Sequence, residues 1–317
     1  MKVVINYQEY ADVEIEKGIL RRLPGVEIVE SRTRDPDEFI REAKDADALI
    51  IQYAQCSQAV IDALEKAKVI VRYGIAVDTI DLAAAKAKGI KVCNVPHYCL
   101  DEVSNHTLAM ILALHRKIFL GDRLLRESRH QLERIQPIPR LSGLALGLLG
   151  FGQIARRLFK KAKPLFGEMI ASDPLVSPEE LLVKGVRPVS LEKLFLSSDF
   201  ISIHIPSTPK TRHLVSRELI SKMKPWAYLV NTSRGAVVDE PALIEALQEK
   251  RIAGAGLDVF ETEPLPAESL LRKLDNVIIT SHYAWYSEGA IQELKETAAM
   301  EAVRVLRGES PLYQVME

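Results

Sequence analysis

Short apolar runs alternate with stretches of helical periodicity along the whole chain, and this alternation constrains the fold more than any other feature. In the N-terminal third, helix-like segments such as Ser57–Ala67 and Thr79–Lys88 separate the runs, and Gly89 ends the second segment. Strands that alternate with helices are typical of βαβ units, and therefore of a parallel sheet. The predicted strands of this first series are Val3–Asn6, Val26–Val29, Ala48–Gln52, Val69–Arg72 and Val92–Val95.

A second series follows a long helical stretch. Apolar residues recur at helical spacing from Asp101 to about Arg129, which predicts one long helix, and the two prolines of Gln136–Pro139 indicate a connector. A last helical pattern spans Ser287–Arg307. Between them the runs are uniformly apolar, as expected for strands covered by helices on both faces. These predicted strands are Leu144–Leu149, Met169–Ser172, Phe200–Ile205, Tyr228–Asn231, Gly256–Val259 and Val277–Thr280.

Composition excludes several classes of protein. The chain has 317 residues, which favours two domains at roughly 150 residues each. Forty-two basic against 43 acidic side chains argue against a strongly basic nucleic-acid binder.

No apolar run approaches the roughly 18 residues of a membrane span, and three cysteines without a CxxC pair indicate a reducing compartment. We therefore expect a soluble cytoplasmic protein that binds neither membrane nor nucleic acid, and no metal-ligand spacing predicts a metal site.

A glycine-rich turn joins the first predicted strand of the second series to a helix. The pattern Gly150-x-Gly152-x-x-Ala155 is a permitted variant of the dinucleotide-binding fingerprint. Gly150 allows the tight turn, Gly152 lets the backbone approach a pyrophosphate, and Ala155 allows close packing of helix and strand. Helix N–H groups then face the phosphates. The predicted cofactor contacts of this turn are Gly150, Phe151, Gly152, Gln153 and Ile154.

The next strand ends in an acid. Asp173 follows Gly150 by 23 residues, where a carboxylate can accept hydrogen bonds from the adenosine ribose hydroxyls. The alternative is that Asp173 merely begins a turn with Pro174. The order strand, glycine turn, helix, strand, acid favours the first interpretation, and because the carboxylate would repel a 2′-phosphate, it predicts NAD rather than NADP.

Charged residues follow three further predicted strands. Arg234 lies past the first, Glu261 and Glu263 past the second, and His282 past the third. Open α/β sheets bind ligands at the carboxyl ends of their strands. Arginine can hold a carboxylate bidentately, and histidine can move a proton while a neighbouring carboxylate stabilises its charged form. A structural ion pair beside a capped loop explains these residues equally well.

Together these motifs resemble the D-isomer-specific 2-hydroxyacid dehydrogenase family over nearly the whole chain. Ala284–Glu288 is similar to the C-terminal-binding-protein branch, whose members are dehydrogenase-like corepressors. The matching stretches are Val71–Asp81, Asp101–Leu114, Leu148–Ala155, His204–Thr211, Val230–Glu240, Gly256–Pro264 and Ile279–Trp285.

The resemblance implies an α/β protein of two doubly wound parallel-sheet domains. A Rossmann NAD-binding domain, residues 99–287, is inserted into a flavodoxin-like substrate domain of residues 1–98 and 288–317. The implied activity is NAD-dependent interconversion of 2-oxo acids and D-2-hydroxy acids, in a homodimer formed through the region Asp101–Arg129. The alternative is an NAD(H)-sensing, corepressor-like binding module with weak or vestigial dehydrogenase activity.

The resemblance also assigns roles to single residues. Arg234, Glu263 and His282 form the catalytic set, which leaves Glu261 as a bystander. Arg72 and the backbone of Tyr73, Gly74 and Ala76 bind the substrate carboxylate, and Trp285 contacts the substrate side chain. The implied cofactor contacts outside the glycine turn are Ile75, Thr107, Asp173, Ile205, Pro206, Thr211, Thr232, Ser233, Arg234, Asp258, His282 and Trp285.

Two positions depart from the family pattern. Ala76 stands where the family commonly has the second glycine of the substrate loop, which implies a slightly more restricted loop. Ser281 stands where proline usually precedes the histidine, and we regard this difference as minor.

Overall fold

The computed structural model describes residues 1–127 and 132–315. The chain divides into two compact units, a smaller one of Met1–Tyr98 with Ser287–Glu317 and a larger one of Cys99–Tyr286. Each unit is built on its own parallel sheet. None of the helices in the described ranges is both long and apolar enough to cross a membrane.

The smaller unit begins with five strands and four helices in strict alternation. All strand pairs are parallel, and the strand order β2-β1-β3-β4-β5 is that of flavodoxin-like folds. The elements are β1 (Lys2–Asn6), α1 (Glu14–Leu20), β2 (Glu27–Ser31), α2 (Pro36–Ala43), β3 (Ala48–Ile51), α3 (Gln58–Ala63), β4 (Val69–Arg72), α4 (Leu82–Ala87) and β5 (Lys91–Cys93).

The larger unit contains a seven-stranded sheet of order β12-β11-β10-β9-β6-β7-β8, in which every pair is parallel. This is the dinucleotide-binding order, extended by one strand. Its elements are α5 (Leu100–His115), α6 (Ile118–Arg126), β6 (Ala145–Leu149), α7 (Gln153–Ala162), β7 (Glu168–Ser172), α8 (Pro178–Val183), β8 (Arg187–Pro188), α9 (Leu191–Ser197), β9 (Phe200–Ile203), α10 (Arg217–Ser221), β10 (Tyr228–Asn231), α11 (Glu240–Gln248), β11 (Gly254–Leu257) and β12 (Val277–Ile279).

The chain then returns to the smaller unit through α12 (Glu288–Leu306), which packs against α1, β3 and β4. Ser287 begins this helix, because its hydroxyl accepts the N–H of Ala290 at 3.0 Å.

Apolar cores cover both faces of the larger sheet. Neighbouring side chains of one strand point to opposite faces, so Leu148 and Leu149 enter two different cores, as do Val230 and Leu229. Because both faces are buried, these strands are continuous apolar runs, which is why they were visible in the sequence.

The predicted fold class is confirmed, but several predicted elements were wrong in detail. The single helix predicted over Asp101–Arg129 is two helices, since Lys117 adopts a left-handed conformation with φ of 52° between α5 and α6. The predicted end at Arg129 lies outside the described residues. The predicted strand Phe200–Ile205 ends at Ile203, Gly256–Val259 is shifted to Gly254–Leu257, and the edge strand β8 was not predicted.

Candidate active site

The glycine turn lies between β6 and α7, and one of its glycines cannot be replaced. Gly150 has a φ of 88°, and a Cβ atom on it would lie 2.7 Å from Ile205 Cγ2 and 2.9 Å from the His204 carbonyl oxygen. The turn therefore packs directly on the chain that leaves β9, and the predicted cofactor residues Gly150 and Ile205 lie together. Phe151 is fully buried, so its side chain is not open to the predicted cofactor contact.

Asp173 lies beside this turn. Its Oδ2 accepts the N–H of Phe151 at 2.7 Å, and its Oδ1 accepts the N–H of Leu175 at 2.8 Å. Gly152 precedes α7 as its N-cap, with open space where a Cβ would stand. The N–H groups that begin α7, an uncrowded glycine and a partly exposed carboxylate fit the pyrophosphate and ribose of a dinucleotide.

The segment after β9 forms a closed loop. The Thr211 hydroxyl donates to the Pro206 carbonyl at 2.6 Å and accepts the N–H of Thr208 at 2.8 Å. His204, at the start of this loop, is held inside, with Nε2 2.8 Å from the Ser202 hydroxyl. Burial lowers the pKa of His204 to about 4, so this ring is neutral at physiological pH and serves packing.

Asn231 shapes the turn that carries Arg234. Its side-chain oxygen accepts the N–H and hydroxyl of Ser233 at 3.0 and 2.9 Å, and its amide donates to the Arg234 carbonyl at 2.9 Å. Thr232 is fixed from α5, since its hydroxyl lies 2.8 Å from that of Thr107, which itself donates to the Val103 carbonyl. Thr107 is thus fully buried behind the predicted cofactor loop.

The Arg234 turn is packed against the loop that carries Glu263. A Cβ on Gly235 would lie 1.9 Å from the carbonyl carbon of Phe260, so the residue after Arg234 must be glycine for the two backbones to meet. Consistent with this proximity, the positive charge of Arg234 helps to lower the pKa of Glu263.

Glu263 and His282 form an ion pair. Glu263 Oε2 lies 2.6 Å from His282 Nδ1, while its Oε1 accepts the N–H of Phe260 at 3.0 Å. Partial burial raises the pKa of Glu263, but the hydrogen bond and charge of His282, the Phe260 N–H and the charge of Arg234 together outweigh burial and lower the pKa. The pair stays open to solvent, with 38% of the His282 and 34% of the Glu263 side chain exposed. His282 Nδ1 is therefore occupied, and Nε2 is the nitrogen left for chemistry.

Asp258 organises the turn on which His282 lies. Its Oδ1 accepts the Thr280 hydroxyl at 2.5 Å and the N–H of Tyr283 at 3.2 Å, and its Oδ2 accepts the N–H of Ala284 at 2.9 Å. Its carbonyl accepts the N–H of His282 at 2.8 Å. His282 has a φ of 56°, a strained conformation for a residue with a Cβ, and Asp258 supplies the contacts that hold it. Asp258 is 1% exposed, so its structural role is shown, whereas a contact with nicotinamide stays a prediction.

Trp285 is attached to the same turn. Its indole N–H donates to the His282 carbonyl at 2.8 Å, and the indole meets the Tyr286 ring edge-on at 5.9 Å. The indole is half-buried and lies close in sequence and space to His282.

A second histidine–carboxylate pair lies in the neighbouring loops. His213 Nε2 and Glu261 Oε1 are in direct contact, and the N–H of Glu261 donates to Glu240 at 3.0 Å. Burial, assisted by the charges of Glu261 and Glu263, raises the pKa of Glu240. Glu261 thus pairs with His213, whereas Glu263 pairs with His282. Substitutions in the His213–Glu261 pair can therefore serve as controls for substitutions in the His282–Glu263 pair.

The predicted substrate loop lies in the smaller unit, after β4. Arg72 Nη1 donates to the Tyr73 carbonyl, Val95 N–H to the Gly74 carbonyl at 2.9 Å, and the Asn94 amide to the Ile75 carbonyl at 2.6 Å. Three successive carbonyls are therefore occupied. Within the described residues, the N–H groups of residues 74–76 have no hydrogen-bond partner. Tyr73 is buried and donates to Glu16 at 2.5 Å, so only its backbone is available to a substrate.

In the larger unit, two groups of predicted residues each lie together at the carboxyl ends of the strands. The first is the glycine turn with Asp173 and Ile205, and the second is Arg234 with Glu263 and His282. Sequence reasoning missed the residues that shape the loops. Asn231, two before Ser233, carries the signal of an Asx turn, but nothing in the sequence singled out His106, which bonds Thr280. No cluster of three or more metal-ligating side chains occurs among residues 1–127 and 132–315.

Comparisons with known proteins identify the family of the chain. The chain is 39% identical over 293 residues to D-3-phosphoglycerate dehydrogenase of Methanocaldococcus jannaschii, covering 92% of this chain and 55% of that protein, so it spans about half of that relative. It is 36% identical over 302 residues to glyoxylate reductase of Thermofilum pendens, covering 93% and 89%. The structure of D-lactate dehydrogenase from Aquifex aeolicus, complexed with NAD and lactic acid, superposes with a TM-score of 0.86 at 30% identity over 97% of this chain and 96% of that one.

The family model described as D-isomer specific 2-hydroxyacid dehydrogenase, NAD binding domain, matches residues 108–284, a range that contains the glycine turn, Asp173, Arg234, Glu263 and His282. The similarity of Ala284–Glu288 to the corepressor branch stays a prediction. The chain belongs to the D-isomer specific 2-hydroxyacid dehydrogenase family.

Proposed function

We propose that this protein reduces small 2-oxo acids to D-2-hydroxy acids with NADH, and that Arg234, Glu263 and His282 are its catalytic residues. The observation that carries the proposal is the Glu263–His282 pair, 2.6 Å apart at the carboxyl ends of β11 and β12. Lactate and glyoxylate, which appear in the names of the D-lactate dehydrogenase and glyoxylate reductase compared above, point to the substrate class.

The proposed cofactor site uses the glycine turn for the pyrophosphate, Asp173 for the adenosine ribose and the loops after β9 and β10 for the rest of the dinucleotide. When bound there, NADH supplies the hydride that reduces the substrate carbonyl. Arg234 is suited to hold the substrate carboxylate and polarise its carbonyl, because a guanidinium presents two parallel N–H donors.

His282 acts as the proton donor in this proposal. Glu263 holds Nδ1 and stabilises the imidazolium, so the proton leaves from Nε2 to the oxygen that becomes the hydroxyl. In the reverse reaction neutral His282 removes the hydroxyl proton. The carboxylate of Glu263 needs to stay ionised for either step, and its lowered pKa ensures this at neutral pH.

The loop of residues 72–76 is proposed as a carboxylate-binding loop of the smaller unit. Its carbonyls are turned toward the unit's own donors, which leaves the N–H groups of residues 74–76 for an anion. Ala76 and the positive φ of Gly74, 130°, set the shape of this loop.

A homodimer, implied by the family resemblance, is also a proposal. Exposed apolar side chains on α6 support it, namely Ile118, Phe119 and Leu125. Sedimentation of the purified protein tests it, and a monomer at micromolar concentration would contradict it.

The test of the proposed function is a screen of NADH oxidation across 2-oxo acids of increasing side-chain size. We expect turnover with at least one of them, and its loss in His282→Ala. His213→Ala is the matched control, because it removes the other histidine of a histidine–carboxylate pair. Absence of turnover with every 2-oxo acid, or equal effects of the two substitutions, would refute the proposal.

A further inference from the structure

One partly buried histidine of α5, His106, is connected to the turn that carries His282. His106 Nε2 lies 3.1 Å from the Thr280 hydroxyl, and the same nitrogen lies 3.8 Å from Asp258 Oδ1. The His106 ring also meets the Tyr283 ring edge-on, with centroids 5.2 Å apart. His106 therefore contacts the turn at both of its ends.

The donors and acceptors in this chain of contacts are fixed by elimination. Thr280 has one hydroxyl proton, and at 2.5 Å it donates this proton to the Asp258 carboxylate, the stronger acceptor. The Thr280 oxygen can then only accept, so His106 must donate from Nε2–H. Burial lowers the pKa of His106, against the opposing charge of Asp258, which favours the neutral ring. The hydrogen bond to Thr280 then places the one proton of the neutral ring on Nε2.

The chain ends at groups that determine where His282 lies. Asp258 binds the N–H groups of Tyr283 and Ala284 with its carboxylate and that of His282 with its carbonyl. His282 is held in a left-handed conformation that a looser turn would release. An error of about 1 Å in the position of a reacting group can lower a rate by about 100-fold.

We propose that His106 is a positioning residue for His282, acting through the hydrogen-bond chain His106–Thr280–Asp258. Its neighbour Thr107 holds Thr232 in the adjoining loop, so consecutive residues of α5 fix two loops of the site. This inference rests on the proposed role of His282 and adds a residue to it.

The kinetic test breaks the chain from each side. His106→Leu removes the donor, and Thr280→Val removes the hydroxyl while keeping the shape. We expect either change to lower kcat by about 10- to 100-fold. The affinity for NADH should change by less than about threefold, because the glycine turn and Asp173 are untouched. The double variant should be no slower than the slower single one, because both changes break the same chain.

Two variants separate positioning from a general loss of stability. His106→Gln keeps an N–H donor at the corresponding atom, and we expect it to restore most of kcat. His115→Leu is the matched control, since His115 is buried on the same helix and packs against the Phe200 ring of β9. Wild-type kcat in Thr280→Val, additive losses in the double variant, or an equal loss in His115→Leu would overturn the proposal.

A second measurement does not depend on turnover. Nitrogen-15 spectra of the histidine rings, assigned with His106→Gln and His282→Asn, should show His106 as the neutral Nε2–H tautomer at neutral pH. They should also show the His282 signals displaced in Thr280→Val. A charged or Nδ1–H His106 ring would overturn the inference. Failure of the proposed role of His282 and failure of the positioning role of His106 give different results. If the role of His282 is wrong, His282→Ala retains activity. If only the role of His106 is wrong, His282→Ala loses activity while Thr280→Val keeps it.

Discussion

Replacing Glu263 by glutamine removes the negative charge beside His282 and keeps the size of the side chain. Under the proposed mechanism reduction requires the imidazolium of His282, so kcat/KM for the 2-oxo acid should fall as the pH rises and the ring loses its proton. Because the carboxylate favours the charged ring, Glu263→Gln should move this falling limb to lower pH. The lowered pKa of Glu263 means that the carboxylate is fully charged throughout the pH range of the limb in the unmodified protein.

The size of the displacement follows from the exposure of the pair. Two unit charges about 4 Å apart interact by roughly 4 kcal/mol at an effective dielectric constant of about 20, whereas solvent-exposed pairs contribute about 0–1 kcal/mol. Since 34–38% of these side chains is exposed, we expect an intermediate loss of about 1–2 kcal/mol. At about 1.4 kcal/mol per unit this corresponds to a displacement of roughly one pH unit.

The assay is the pH dependence of kcat/KM in both directions, with the best 2-oxo acid and its hydroxy acid. Oxidation requires the neutral ring, so its rising limb should move to lower pH by the same amount. Glu261→Gln is the matched control, because it removes an equivalent charge two residues away that pairs with His213. An unmoved limb in Glu263→Gln, or equal displacement in Glu261→Gln, would show that another group partners His282.

Three further predictions concern substrate and cofactor contacts. Arg234→Ala should lower kcat/KM by an amount that corresponds to about 3–5 kcal/mol of lost transition-state stabilisation, while the melting temperature stays within a few degrees of the unmodified protein. A loss of kcat/KM of less than tenfold would contradict the assignment. Asp173→Ser should lower the ratio of kcat/KM with NADH to that with NADPH, and an unchanged ratio would place Asp173 away from the ribose. Trp285→Ala should cost about 1–3 kcal/mol in kcat/KM for long apolar 2-oxo acids such as 4-methylthio-2-oxobutyrate. It should cost little for glyoxylate, and equal losses for both, or a large drop in melting temperature, would indicate a packing role.

The fold was predictable because its main signal is local. Strands buried on both faces are apolar runs, and among the described residues every strand but one overlaps a predicted apolar run. The exception, β8, has two residues, one of them proline, and pairs only at the edge of the sheet. The break between α5 and α6 also escaped prediction, because the residues around Lys117 continue the apolar spacing and contain neither glycine nor proline.

The candidate site was predictable to the extent that it follows from strand ends. Parallel strands place all their carboxyl ends at one edge, so residues just past β10, β11 and β12 were expected to meet. The choice between Glu261 and Glu263 was not available from spacing alone, because both follow β11. It depends on which loop each carboxylate faces, and the structure pairs Glu261 with His213 and Glu263 with His282.

The residues that shape the loops were hidden for a different reason. His106 and Thr280 are 174 residues apart, and no periodicity or motif connects them. Asn231 and Asp258 are each 1% exposed, whereas about a third of the Glu263 and His282 side chains is open to solvent. Leaving a buried polar group without its hydrogen-bond partners lowers the stability of the folded state. We therefore expect substitutions of Asn231 or Asp258 to lower stability and to disturb the loops that carry Arg234 and His282. His282 is about a third exposed, so changing its side chain leaves no fully buried polar group without a partner. The proton transfer proposed for His282 is therefore carried by a side chain that the fold does not need, on a turn that the buried residues hold.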